Sequence, residues 1–290
     1  MLGKLIKYEF VATSRFFAIA YPALIFMAIL NRVFLAISGD SIGIRENNFW
    51  FELFTILSVT LYIGIIFAVL AGTTILMMQR FYKNMFGDEG YLMHTLPVEP
   101  WQHITSKLLV SAVWSFASFL ATILSIFILA YGVIPMDELR EFWVEFKQVF
   151  QVIGLNSTSF WIQIAVMMLY SLFIYMLPLY AAITIGQFWR KHRILGAVLA
   201  YLGINTVSQM VSGIIVQILG LYWSQKNFGG VSNSISLYNF NFGPDDVLAG
   251  LQFDKYFNSL MISSMLCSIL ISAGLFVLTN YLLKRKLDLE

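Results

Sequence analysis

The sequence predicts an all-α membrane protein of six transmembrane helices, with the amino and carboxyl termini both cytoplasmic. Three observations carry that reading. Of 290 residues, 59% are hydrophobic and 12% charged, and mean hydropathy is +0.77, outside the range of soluble domains. Six runs almost free of charge each hold the roughly 20 helical residues that a bilayer crossing needs. Lys and Arg gather in alternate connections: Lys4, Lys7 and Arg15; Arg80, Lys83 and Lys107; Arg190, Lys191 and Arg193; Lys284, Arg285 and Lys286. Arg32, Arg45, Arg140, Lys147, Lys226 and Lys255 are spread over the other three. By the positive-inside rule the richer set faces the cytoplasm.

Residues 1–15 read as an interfacial elbow helix. Leu2, Leu5, Ile6 and Phe10 share one side, and Lys4, Lys7, Ser14 and Arg15 the other, so the segment should lie in the cytoplasmic interface before the chain turns into the bilayer. Glu9 falls within the apolar arc, where it either snorkels to water or pairs with a basic residue of a partner or of the Arg190 turn. The first span is Phe16 to Asn31, continuing past Arg32 to Ile37. Ala36, Ile37 and Ser38 imitate a leader-peptidase site, but the length of the run and Arg32 before it count against cleavage.

The second span, Leu53 to Gln79, carries Gly64, Ala68 and Gly72 at four-residue spacing, which should let another helix approach closely. The third, Leu108 to Met136, places Ser111, Ser115, Ser118, Thr122 and Ser125 on one narrow face, read as hydrogen-bonding glue between helices. Residues 134–159 form an outer amphipathic segment: from Asp137 to Ile153, Leu139, Phe142, Trp143, Phe146, Val149, Phe150 and Ile153 fall on one helical face. It anchors a loop in the outer leaflet or gates an amphipathic substrate.

The fourth span lies within Gln148 to Trp189 and contains Pro178, which should kink it. The fifth, Ile194 to Gln225, is the most polar near its middle, with Asn205, Gln209 and Ser212 on one face. Amides at bilayer depth need partners, so that face should meet protein or a hydrated cavity. Residues 226–257 read as an outer loop in which Gly243, Pro244, Asp245 and Asp246 make a turn and a helix cap before Val247. The last span is Tyr256 to Leu283.

The polar interval 80–107 differs from the other connections. Asp88 can cap a short helix, Glu89 then stands where the helix dipole favours a negative charge, and Pro97 ends it after about two turns. Pro100 suits the first position of the next helix, because its missing N–H is not needed there. The stub presents Tyr91, Leu92, Met93 and Leu96, too apolar to face water without a partner.

The block Gly87 to Trp101 (GDEGYLMHTLPVEPW), with Arg80 before it and Lys107 after, resembles the coupling-helix loop of ABC type-2 exporter permeases. Span order and loop lengths carry the resemblance, more weakly, over the whole chain. It implies a permease subunit in a bacterial plasma membrane whose partners are cytosolic ABC ATPase subunits and a second permease, a copy or a relative. Asp88, Glu89, Tyr91, Leu92, Met93, Leu96 and Glu9 would then couple to the ATPase, and Asn205, Gln209 and Ser212 would flank the pathway. ATP and magnesium would be held by the partner.

Chain size and the loop sequence are similar to permeases that export small amphipathic helical peptides of the phenol-soluble-modulin type. Such a peptide is the expected cargo, with drug or lipid efflux as the alternative. A rival of another class is a membrane sensor or scaffold that uses the same loop.

The chemistry that the sequence lacks points the same way. No phosphate-binding loop ending in Gly-Lys-Ser/Thr occurs, so ATP would be hydrolysed elsewhere. His94, His103 and His192 are too far apart for a helical metal pair, no serine nucleophile elbow is present, and the spans lack the acids of a proton-coupled carrier. No catalytic, cofactor or metal residue is therefore assigned. A net charge of +2, explained by topology, gives no reason to expect nucleic acid.

Overall fold

The computed structural model describes residues 2–39, 49–87, 90, 98–131, 136–152, 158–189, 191–228 and 247–285, and every regular element among them is a helix. These are α1 (Leu2–Gly39), α2 (Phe49–Phe86), α3 (Pro100–Ala130), α4 (Met136–Val152), α5 (Thr158–Ile174), α6 (Met176–Gly186), α7 (Arg193–Phe228) and α8 (Val247–Arg285). Six segments are long and apolar enough to cross a membrane: Leu2–Ala36, Leu53–Phe86, Pro100–Ala130, Trp161–Gly186, Arg193–Leu219 and Ser259–Lys284.

The fourth of these segments is two helices. Proline at 178 has no N–H to give the carbonyl of Ile174 and its ring crowds that carbonyl, so α5 stops at Ile174 and α6 starts at Met176. The expected kink is thus a break, one turn before the proline.

The segment expected as an elbow is continuous with the first span, since α1 runs unbroken from Leu2 through Arg15 into the apolar run. Nothing between Lys4 and Tyr21 breaks a helix, and the first turns are tied to neighbouring helices by Glu9 and Phe10. At 1.5 Å per residue its 38 residues span about 57 Å, nearly twice the thickness of a bilayer core. At the interval 226–257, α7 continues to Phe228 and α8 begins at Val247, where a helix was expected to follow the cap. Residues 229–246 lie outside the described set.

The chain divides into two compact units. The first comprises Met1–Leu139, Leu172–Tyr180 and Asn280–Glu290 and is built on α1, α2 and α3 packed together. Contacts give their directions. Along α1, Glu9, Phe17 and Tyr21 meet Lys107, Trp114 and Ser118 of α3 in the same order, so these two helices are parallel. Glu9 and Asn31 meet Asn84 and Ser58 of α2 in reverse order, so α2 is antiparallel to both. The start of α1, the end of α2 and the start of α3 therefore share one end of the unit.

The core of this unit mixes apolar and hydroxyl contacts. Leu24, Ala28, Tyr62 and Val69 form one buried cluster, and Trp114 lies against Phe17, ring centroids 4.1 Å apart, and against Phe10 at 4.7 Å. The serine face of α3 is buried. Ser118 Oγ stands 3.0 Å from the Tyr21 hydroxyl and 2.9 Å from that of Thr73, Ser125 pairs with Tyr62 at 2.9 Å, and Ser115 pairs with Tyr175 at 2.6 Å.

On α2 the expected close-approach stripe fails: Gly64 and Ala68 are exposed, and only Gly72 meets a neighbour, the ring of Phe16. The buried face instead carries Tyr62, Val69, Thr73 and Met77. Larger side chains on that face reach the hydroxyls and rings of α1 and α3, and so decide the packing.

The second unit comprises Arg140–Ser171 and Ala181–Thr279. In it Tyr170 and Ser272 hydroxyls stand 3.2 Å apart. On α4, Phe146 stacks on Phe142 and Trp143, and the Lys147 ammonium lies 5.6 Å from the Trp143 ring centroid. Phe142, Trp143 and Val144 stay exposed, which suits a helix lying on an apolar surface.

Candidate functional site

At the shared end of the first unit, one carboxylate gathers three helices. Glu9 of α1 accepts hydrogen bonds from Arg80 Nε at 3.1 Å and Asn84 Nδ2 at 2.9 Å, both on α2, and from Lys107 Nζ on α3. Arg80 and Asn84 are four residues apart and so share a helix face. The side chains of Lys107 and Glu9 are only 4% and 10% exposed, against 29% for Arg80. A charge so buried is tolerable only when paired and hydrogen-bonded, and Glu9 has a donor on each oxygen. Within this chain the Glu9 carboxylate pairs with Arg80 and Lys107.

Both helix ends here are shaped by backbone chemistry. After α2, Gly87 N–H donates to Lys83 O at 3.1 Å, and Gly90 N–H donates to Gly87 O at 2.8 Å. A Cβ on Gly87 would stand 2.7 Å from Lys83 O, and one on Gly90 2.8 Å from Met85 O, so any side chain at either position collides with main chain. Helix α3 starts at Pro100, where no N–H is needed. Its cap residue Glu99 makes no side-chain cap; Trp101 Nε1 donates to its carboxylate at 2.5 Å. Of the residues expected to couple to a partner, Asp88, Glu89, Tyr91, Leu92, Met93 and Leu96 lie outside the described residues, and only Glu9 is placed.

The second expected site lies in the second unit. Asn205 and Ser212 are half-buried and Gln209 is exposed, and Ser212 Oγ donates to Gln209 O within the helix. The opposite side of α7 borders an apolar groove of about 430 Å³ lined by Gly203, Ile204, Val207, Ser208 and Val211 with Ile271, Gly274, Leu275 and Leu278 of α8. The amide face therefore points away from α8.

Sequence reading missed the Glu9 partners, and it also missed Asn31. That residue is buried in the first span, exchanging hydrogen bonds with Ser58 Oγ at 2.9 Å and the Ser58 carbonyl at 3.2 Å. An uncharged amide inside an apolar run is the signal that could have found it. Among the described residues, no three His, Cys, Asp or Glu side chains are placed to share a metal ion.

The fold and these clusters define an all-helical protein with six segments fit to cross a membrane. Compared with protein-family models, curated proteins and solved structures, the chain matches none.

Proposed function

We propose that this chain is the membrane-spanning subunit of an ATP-driven exporter of the type-2 ABC permease kind, working as a pair in a bacterial plasma membrane with both termini cytoplasmic. The observation that carries the reading is the block Gly87 to Trp101, set between two helices whose ends Glu9 draws together with the amino-terminal helix. A cytosolic ATPase would receive Tyr91, Leu92, Met93 and Leu96 and push on that end of the bundle. Since α1, α2 and α3 are joined there, a push would tilt them together and open a central path outward.

The cargo is an amphipathic helical peptide. The spans offer almost no charge, the groove between α7 and α8 is apolar, and Asn205, Gln209 and Ser212 supply a modest polar face on another side of α7, surfaces suited to a substrate with one greasy side.

The test is reconstitution in vesicles with any phosphate-loop ATPase found encoded beside this chain, and a fluorescent amphipathic helical peptide as probe. ATP should drive the peptide across. Tyr91→Glu or Leu92→Glu should abolish transport while membrane insertion stays normal. Unchanged transport in those variants would remove the mechanism, and the lack of any ATPase that binds the chain would remove the reading.

A further inference from the structure

Arg80 and Asn84 occupy the last two turns of α2, and Lys107 the second turn of α3. The atom group common to them is the carboxylate of Glu9, which belongs to neither helix. Next to it, Phe10 lies on Trp114, so the first turns of α1 are held both by charge and by a ring stack. The cluster stands beyond the apolar runs, because Phe16, Gln79 and Leu108 bound the charge-free stretches on the three helices.

We infer that Glu9 is a positioning residue: it locks the amino-terminal turns of α1 to the end of α2 and the start of α3, making the three ends one rigid body. The claim concerns mechanics and holds whatever partner docks there. Within the function proposed above, it makes α1 the route by which a push at this end reaches the bundle.

Glu9→Gln alone is an ambiguous test, since it takes the Glu9 carboxylate away from the buried Lys107 ammonium and can unfold the protein. Glu9→Met with Asn84→Leu and Lys107→Met removes the buried polar atoms at nearly constant volume, while the part-exposed Arg80 turns to water. Hydrogen exchange is measured on the full chain in lipid nanodiscs, with denaturant unfolding in parallel.

In the triple variant the unfolding midpoint should stay near the wild-type value. Amides of residues 4–14, 80–87 and 102–107 should exchange about tenfold faster or more, and those of 17–31 and 108–125 should not change. A merely structural cluster would move the midpoint and the protection of all these segments together, or move neither, and either result overturns the inference. Because no ATPase is present, failure of the exporter reading would leave this outcome standing.

Discussion

Glu9 shows how far one residue's setting can depart from what its neighbours in sequence announce. Helical periodicity puts it on the apolar side of α1, and periodicity says which face a residue is on, not what it meets. Its partners are 71 and 98 residues away, a distance over which no local pattern reports. Taking a carboxylate and an ammonium out of water costs several kcal/mol each, and removing one partner of such a pair costs about 3–5 kcal/mol. The bonds from Arg80, Asn84 and Lys107 offset that penalty.

Glycine makes the same point with a measurable sign. Gly90→Ala places a methyl 2.8 Å from Met85 O and should destabilise by about 1–3 kcal/mol, the range for overpacking. Gly64→Ala meets nothing within 4 Å and should instead stabilise by roughly 0.5–1 kcal/mol, by removing helix-interior backbone freedom. Denaturant unfolding of the purified protein separates the two. A stabilised Gly90→Ala would mean that the turn after α2 is not built as described.

At the scale of elements, α3 was the most legible helix, because its start at Pro100 and its stripe of hydroxyls depend on local chemistry. The partners of that stripe were not legible. They are tyrosines and a threonine on α1, α2 and the 172–180 segment, which a single-helix pattern cannot name. The stripe on α2 misled for a related reason: small residues permit close approach but do not compel it, and Tyr62 and Thr73 on the other face had the partners. Ser118 is the junction, joining Tyr21 of α1 and Thr73 of α2 to α3.

Hydrogen bonds between membrane helices are worth about 0.6 kcal/mol each and at most about 1.7. Ser118→Ala, which removes two, should therefore cost about 1–2 kcal/mol in the same unfolding assay, and Ser263→Ala, whose hydroxyl donates to Leu260 O of its own helix, should cost well under that. Equal losses would show that the stripe is not what joins α1 and α2 to α3.

For the whole molecule, the spans were readable because crossing a bilayer is a demand on composition and length. Where helices pass from one to the next was less so: α1 absorbs its expected elbow, and α8 runs unbroken from Val247 into the last span. In the second unit, α7 is largely exposed among the described residues, and it carries half-buried Asn205 and exposed Gln209 within a segment fit to cross the membrane. An amide left against hydrocarbon costs several kcal/mol, and the opposite side of α7 already faces the groove shared with α8. A second copy that meets the first along the amide face would satisfy both chains with the same residues, since a twofold contact pairs a patch with itself.

Gln209→Cys, in a chain whose buried Cys267 is replaced by alanine, should then give a disulfide-linked dimer in native membranes on mild oxidation. Val207→Cys, on the groove side, should remain monomeric. Dimer from Val207→Cys and none from Gln209→Cys would turn α7 around, leaving the amides to face lipid or another protein, and the paired arrangement would fall with it.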